Sequence, residues 1–107
     1  MPNKKKAGGK KNDPDAMKEA GNKAFMNRNF SEAINCYTVA IEISVESPNP
    51  IYYANRANAC LELERYEECI ADCNSAIEID PTYTKSYYRK AKALHFQCRL
   101  YDALAVI

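Results

Sequence analysis

Apolar and small residues return along this chain at helical steps from Pro14 onward. Ala33, Tyr37 and Ala40 fall four and three apart, and Cys69, Cys73 and Ala76 repeat that spacing. Such a period places one stripe of each segment on a buried face and predicts helices rather than strands. The punctuation agrees. Asp13-Pro14 and Asn49-Pro50 each pair an N-capping side chain with a proline at the first helical position. Asn27-Arg28-Asn29 interrupts the first pattern, and Glu64-Arg65 stands at the matching point of the second. Asp80-Pro81 ends a fourth helix and leads through Thr82 or Thr84 into a fifth. The spacing predicts helices near 14–27, 30–45, 50–63, 66–79, 84–97 and 100–107.

These elements repeat as pairs. Ala20-Gly21-Asn22-Lys23, Arg56-Ala57-Asn58-Ala59 and Lys90-Ala91-Lys92-Ala93 begin three similar segments, with steps of 36 from Gly21 to Ala57 and 34 from Ala57 to Ala91. The extra two residues fit the connection at Ser47-Pro48-Asn49-Pro50. Repeats of this kind occupy about 14–47, 50–83 and 84–107, the last one short. Small residues recur at two positions, Gly21, Ala57 and Ala91 at one and Ala33, Cys69 and Ala103 at the other. There two helices of a pair are expected to approach closely, with Phe25, Phe30, Tyr37 and Tyr66 filling the space around them. One such pair cannot bury its apolar face alone, so consecutive pairs stack into an all-α solenoid.

Charge divides the chain in two. Residues 1–11 hold Lys4, Lys5, Lys6, Lys10 and Lys11 and no acid, which leaves ten basic residues against 14 acidic ones in the remainder. Residues 1–12 have almost nothing to bury and are expected to form a disordered, lysine-rich tail. At 107 residues the rest is a single small domain. It has no apolar run of membrane-spanning length and no secretory signal pattern. Five cysteines, an odd number, lie inside helical patterns, the usage of reduced thiols in a cytosolic or nuclear protein.

Signals for other chemistry are weak. Cys69 and Cys73 share a helix face but occupy close-packing positions, with no second pair or nearby His to complete a metal site. His95 is three residues from Cys98, with no orienting acid or oxyanion donor evident for a nucleophile pair. Tyr52, Tyr53, Tyr87 and Tyr88 would suit base stacking, but the folded part is net acidic. No catalytic residue, metal ligand or cofactor is expected.

The small-residue and aromatic pattern, its period and the closing Pro81 resemble the tetratricopeptide-repeat (TPR) family over residues 14–107. That resemblance implies a right-handed superhelix of about 2.5 repeats and a protein-binding module without catalysis of its own. The tryptophan usual near each repeat start is Met17, Tyr53 and Tyr87 here. The third repeat stops about ten residues short and lacks the family's capping helix, so the chain looks like a piece of a longer protein. An uncapped end is expected to expose an apolar face open to self-association.

In a stacked array the first helices line the concave face. Lys18 and Asn22 lie four apart on the first helix, Asn55 on the third, and Lys85 and Arg89 four apart on the fifth; residues so spaced share a face. A basic cluster in an otherwise acidic body suggests an anion site. Position for position, these five resemble the two-carboxylate clamp of TPR co-chaperones, such as the organising protein that bridges the two large heat-shock chaperones. The resemblance implies that Lys18, Asn22, Asn55 and Lys85 hold the two carboxylates of a terminal Asp in the Glu-Glu-Val-Asp tail of 70-kDa or 90-kDa heat-shock chaperones. Arg89 would bind further along the peptide. Asn58, Leu61, Glu62, Lys92, His95 and Phe96 are expected farther along the groove, where upstream peptide side chains sit. Two other readings stand beside this one: a scaffold that binds an internal protein segment, and nucleic-acid binding through the lysine tail.

Overall fold

The computed structural model describes residues 13–106. Five helices follow one another: α1 (Pro14–Met26), α2 (Phe30–Ile43), α3 (Pro50–Glu62), α4 (Tyr66–Ile79) and α5 (Thr84–Val106). No strand occurs among the described residues. The expected tail at 1–12 and Ile107 lie outside them.

Each start has a local cause. The Asp13 carboxylate accepts from the Asp15 amide at 3.0 Å, the Asn49 carbonyl oxygen from the Ile51 amide at 2.9 Å, and that of Asn29 from the Glu32 amide at 3.4 Å. These satisfy amides that have no partner inside a helix's first turn. Pro14 and Pro50 lose nothing there, since their missing N–H would have been unpaired. Arg65 opens α4 without a side-chain cap, and Glu67 and Glu68 in the first turn complement the helix dipole instead.

The two intra-pair turns are the same motif. The Arg28 amide donates to Phe25 O at 2.9 Å and the Asn29 amide to Ala24 O at 2.8 Å. One repeat later the Glu64 amide donates to Leu61 O at 3.0 Å and the Arg65 amide to Cys60 O at 2.9 Å. This nested closure requires a left-handed residue after the cap, here Arg28 with φ 64° and Glu64 with φ 61°.

α1 packs on α2 and α3 on α4, while α1, α3 and α5 lie side by side. The core is made of small residues: Ala33, Ala54, Ala57, Ala59, Cys69, Cys73, Ala76 and Ala93 are fully buried. Tyr37 and Tyr52 are the large aromatic members. The two helix pairs are tied by a buried ion pair. Arg56 on α3 grips Asp72 on α4 through two bonds of 2.8 Å and donates a third, at 3.0 Å, to Thr38 on α2.

The last repeat departs from expectation. α5 runs unbroken through the position where the first two repeats turn, so among the described residues no separate helix begins at 100. Consequently Ala91 and Ala103 are exposed, although their counterparts Gly21, Ala57, Ala33 and Cys69 are buried. Turning would require a left-handed residue at Cys98, which costs energy for any side chain but glycine. Continuing the helix keeps every backbone bond.

Candidate functional site

α1, α3 and α5 enclose a hollow of about 480 Å³ lined by Lys18, Asn22, Asn55, Lys85 and Arg89 together with Asn58. The five residues singled out from the sequence are therefore brought together on one face. Phe25, Met26, Ile51, Tyr37 and Tyr83 supply the less polar wall. Three cations line the hollow and, among the described residues, no carboxylate does.

Helical period explains the convergence. Lys18 and Asn22 are one turn apart on α1, and Lys85 and Arg89 one turn apart on α5, so each pair projects to one side. Asn55 comes from the helix between them, and its Nδ2 donates to Asn22 Oδ1 at 3.2 Å. The same oxygen accepts from the buried Tyr37 hydroxyl at 2.6 Å. Arg89 is half-buried rather than a free surface group, because its Nη1 donates to Ala54 O at 2.8 Å. Lys18 lies 4.0 Å from Asp15 and 3.9 Å from Glu19. Asp15 in turn accepts from the Tyr52 hydroxyl at 2.6 Å. Among the described residues neither Lys85 nor Arg89 pairs with a carboxylate, so their charge is left for an incoming anion.

Two phenols behind the site are firmly protonated. Burial pushes Tyr37 up to about 12, partly opposed by the positive charge of Arg89. Tyr52 is also pushed up to about 12, by burial first and then by its bond to Asp15.

The residues expected upstream fall partly inside and partly outside the hollow. Asn58 lines the hollow with the five, but Leu61, Glu62, Lys92, His95 and Phe96 do not. Leu61 is core, packed with Ala57, Cys60 and Cys69. Lys92 lies over the Tyr88 ring at 5.6 Å, His95 sits edge-on to Phe96, and Phe96 stacks on Tyr66 at 6.1 Å. Tyr37, Ile51 and Tyr83 were not anticipated as lining. For Tyr37 a signal existed: the lone helical glycine, Gly21, implies an aromatic ring pressed against it.

Cys69 and Cys73 are buried thiols, and the Cys69 thiol is pushed up by its hydrogen bond with Cys73 and by burial. No cluster of metal-ligating side chains occurs among the described residues, and no helix is long and apolar enough to cross a membrane.

Helix pairs stacked around a concave polar hollow define a repeat module for protein interaction. The family model of the tetratricopeptide repeat matches residues 50–83. The chain is 43% identical over 88 residues to small glutamine-rich tetratricopeptide repeat-containing protein 2 of Saccharomyces cerevisiae, covering 82% of this chain and 25% of that protein. It spans a quarter or less of the length of the first curated relatives it matches. Among solved structures, the Arabidopsis OM64 TPR domain superposes with TM-score 0.76 at 37% identity, covering 86% of this chain and 74% of that one. The second TPR of Spaghetti (RPAP3), bound to the HSP90 peptide SRMEEVD, superposes with TM-score 0.77 at 34% identity, covering 94% of this chain and 91% of that one. The chain belongs to the tetratricopeptide-repeat family and is a protein-interaction module.

Proposed function

We propose that the hollow binds the free C-terminal acidic tail of a 70-kDa or 90-kDa heat-shock chaperone, ending in Glu-Glu-Val-Asp, through a two-carboxylate clamp. One observation carries the reading: three cations and three carboxamides from three helices meet in one hollow that, among the described residues, no carboxylate lines. A chain ending in Asp presents two carboxylates close together. Lys18, Lys85 and Arg89 supply charge, and Asn22 and Asn55 supply hydrogen-bond donors without further repulsion. The apolar wall of Phe25, Met26 and Ile51 suits the aliphatic residue before the terminal Asp. The likeness to a TPR domain bound to a peptide of this ending supports the same assignment.

Charge-assisted bonds contribute roughly 1.5–3 kcal/mol each, and ordering a flexible tail offsets much of that. Affinity is therefore micromolar, about −8 kcal/mol. The free thiols at Cys36, Cys60, Cys69, Cys73 and Cys98 suit the reducing cytosol. Within a longer protein the module would dock other activities onto the chaperone.

Calorimetry with the same peptide as free acid and as C-terminal amide tests the proposal. The free acid binds with micromolar affinity and the amide at least about tenfold more weakly. Equal binding of both would replace the clamp with a groove for internal segments.

A further inference from the structure

We infer that Tyr37 is a positioning residue whose hydroxyl makes the Asn22 carboxamide a donor-only group, and that this sharpens the hollow's preference for a terminal carboxylate over its amide. The inference rests on the clamp reading and goes beyond it, since Tyr37 itself need not touch the peptide. A carboxamide is ambivalent: its oxygen has two lone pairs and its nitrogen two N–H groups, and a half-turn about its last bond exchanges them. In solution Asn22 could meet a carboxylate with its N–H groups or an amide with its oxygen. Here both lone pairs of Oδ1 are engaged, by the Tyr37 hydroxyl at 2.6 Å and by Asn55 Nδ2 at 3.2 Å.

What remains is the nitrogen. Among the described residues Asn22 Nδ2 has no hydrogen-bond partner in the protein, and it is not a buried unpaired atom either. It is therefore open to the hollow that Asn22 lines. A carboxylate oxygen placed there accepts from it. The NH₂ of a terminal carboxamide placed there meets an N–H with an N–H and leaves both unpaired, the arrangement by which polar sites reject analogues.

Tyr37 suits this task because it cannot move. Its ring is buried and pressed against the Cα of Gly21, the residue next to Asn22, so position and hydroxyl direction are set by the α1–α2 contact. Its phenol keeps its proton throughout the neutral range, so it always donates. Asn55 has an unengaged carbonyl oxygen and no such buried donor behind it among the described residues. Asn22 is thus the carboxamide whose orientation is decided from the core.

The test compares Tyr37→Phe with the unaltered domain, each titrated with the free-acid and amidated tail peptides. Phe keeps the ring that fills the space beside Gly21, so thermal melting confirms that the fold is retained. We expect the free-acid to amide affinity ratio to fall about fivefold or more in Tyr37→Phe. In an Asn22→Ala background the same change then has no further effect on the ratio. An unchanged ratio in Tyr37→Phe, beside a clear preference in the unaltered domain, overturns this inference and leaves the clamp standing. Absence of any preference in the unaltered domain overturns the clamp, and this inference falls with it. A second measurement does not depend on a variant. The side-chain NH₂ resonances of Asn22 should shift on titration with the free acid, and static signals at saturation would also overturn it.

Discussion

The ring of Tyr37 occupies the space that a side chain on Gly21 would need: a Cβ there would stand 2.6 Å from Tyr37 Cε1 and 2.8 Å from Cδ1. The ring belongs to a buried residue that packs with Ala33 and Ala59, so it has no room to withdraw. Replacing glycine in a helix normally gains about 1 kcal/mol, whereas overpacking a core costs about 1–3 kcal/mol. Here the clash wins. Gly21→Ala should destabilise the domain by about 1 kcal/mol in urea unfolding and weaken the tail peptide, because Tyr37 is bonded to Asn22. A melting temperature equal to or above that of the unaltered domain would refute this.

Lys85 is exposed, without an acidic partner among the described residues, and it lines the hollow. Lys85→Ala should weaken the free-acid peptide by about tenfold or more, about 1.4 kcal/mol, with no change in melting temperature. Affinity of the unaltered domain should fall as salt rises, since exposed charges are screened. Arg89→Ala should weaken the peptide similarly but also lower stability by about 1 kcal/mol, because its bond to Ala54 O is lost.

Asp72 is almost fully buried beneath the fork of Arg56. Removing one member of such a pair strands the other charge, so Asp72→Ala should cost about 3 kcal/mol. Replacing both by apolar residues of similar volume, Arg56→Met with Asp72→Leu, should recover most of that loss. Denaturant titration of the three proteins decides it, and a double variant no better than Asp72→Ala would count against the desolvation argument.

Tyr37 and Tyr52 are pushed up to about 12 because burial and, for Tyr52, the bond to Asp15 favour the neutral phenol. Groups raised on folding contribute stability that is fully present below the unfolded value near 10 and is lost as pH rises through about 12. Absorbance titration at alkaline pH should show two of the eight tyrosines ionising last, together with unfolding. All eight titrating together near 10, with helical circular dichroism intact, would contradict it.

Glu64 takes a left-handed conformation at a turn where glycine has no steric penalty. Glu64→Gly should raise stability by up to about 1 kcal/mol, read as an increase in the denaturant midpoint. Loss of stability would indicate that the side chain contributes more than the strain costs.

The helices were legible in the sequence because their signals are local. A capping Asp or Asn, a proline at the first helical position and a three-to-four spacing of small residues act within one turn of chain. Periodicity also assigned Lys18 and Asn22, or Lys85 and Arg89, to one face, since a helix makes that relation without help from its neighbours. The end of the chain was misread for the same reason. Period alone extrapolated a turn at Cys98, whereas helix continuation depends on whether anything packs against the returning segment.

What only the tertiary structure decided is how far apart things lie between helices. Leu61 and Asn58 are three residues apart on α3, yet one is core and the other lines the hollow, according to which neighbour each helix face meets. Nothing in a spacing reveals that the Tyr37 hydroxyl reaches Asn22, or that Arg89 reaches Ala54 O, because a hydrogen bond forms only within a few tenths of an ångström. The sequence by itself determined the helices, their pairing and the residue types offered to a partner. The packing of α1, α3 and α5 decided which of those residues share one hollow and which way their hydrogen-bonding atoms point.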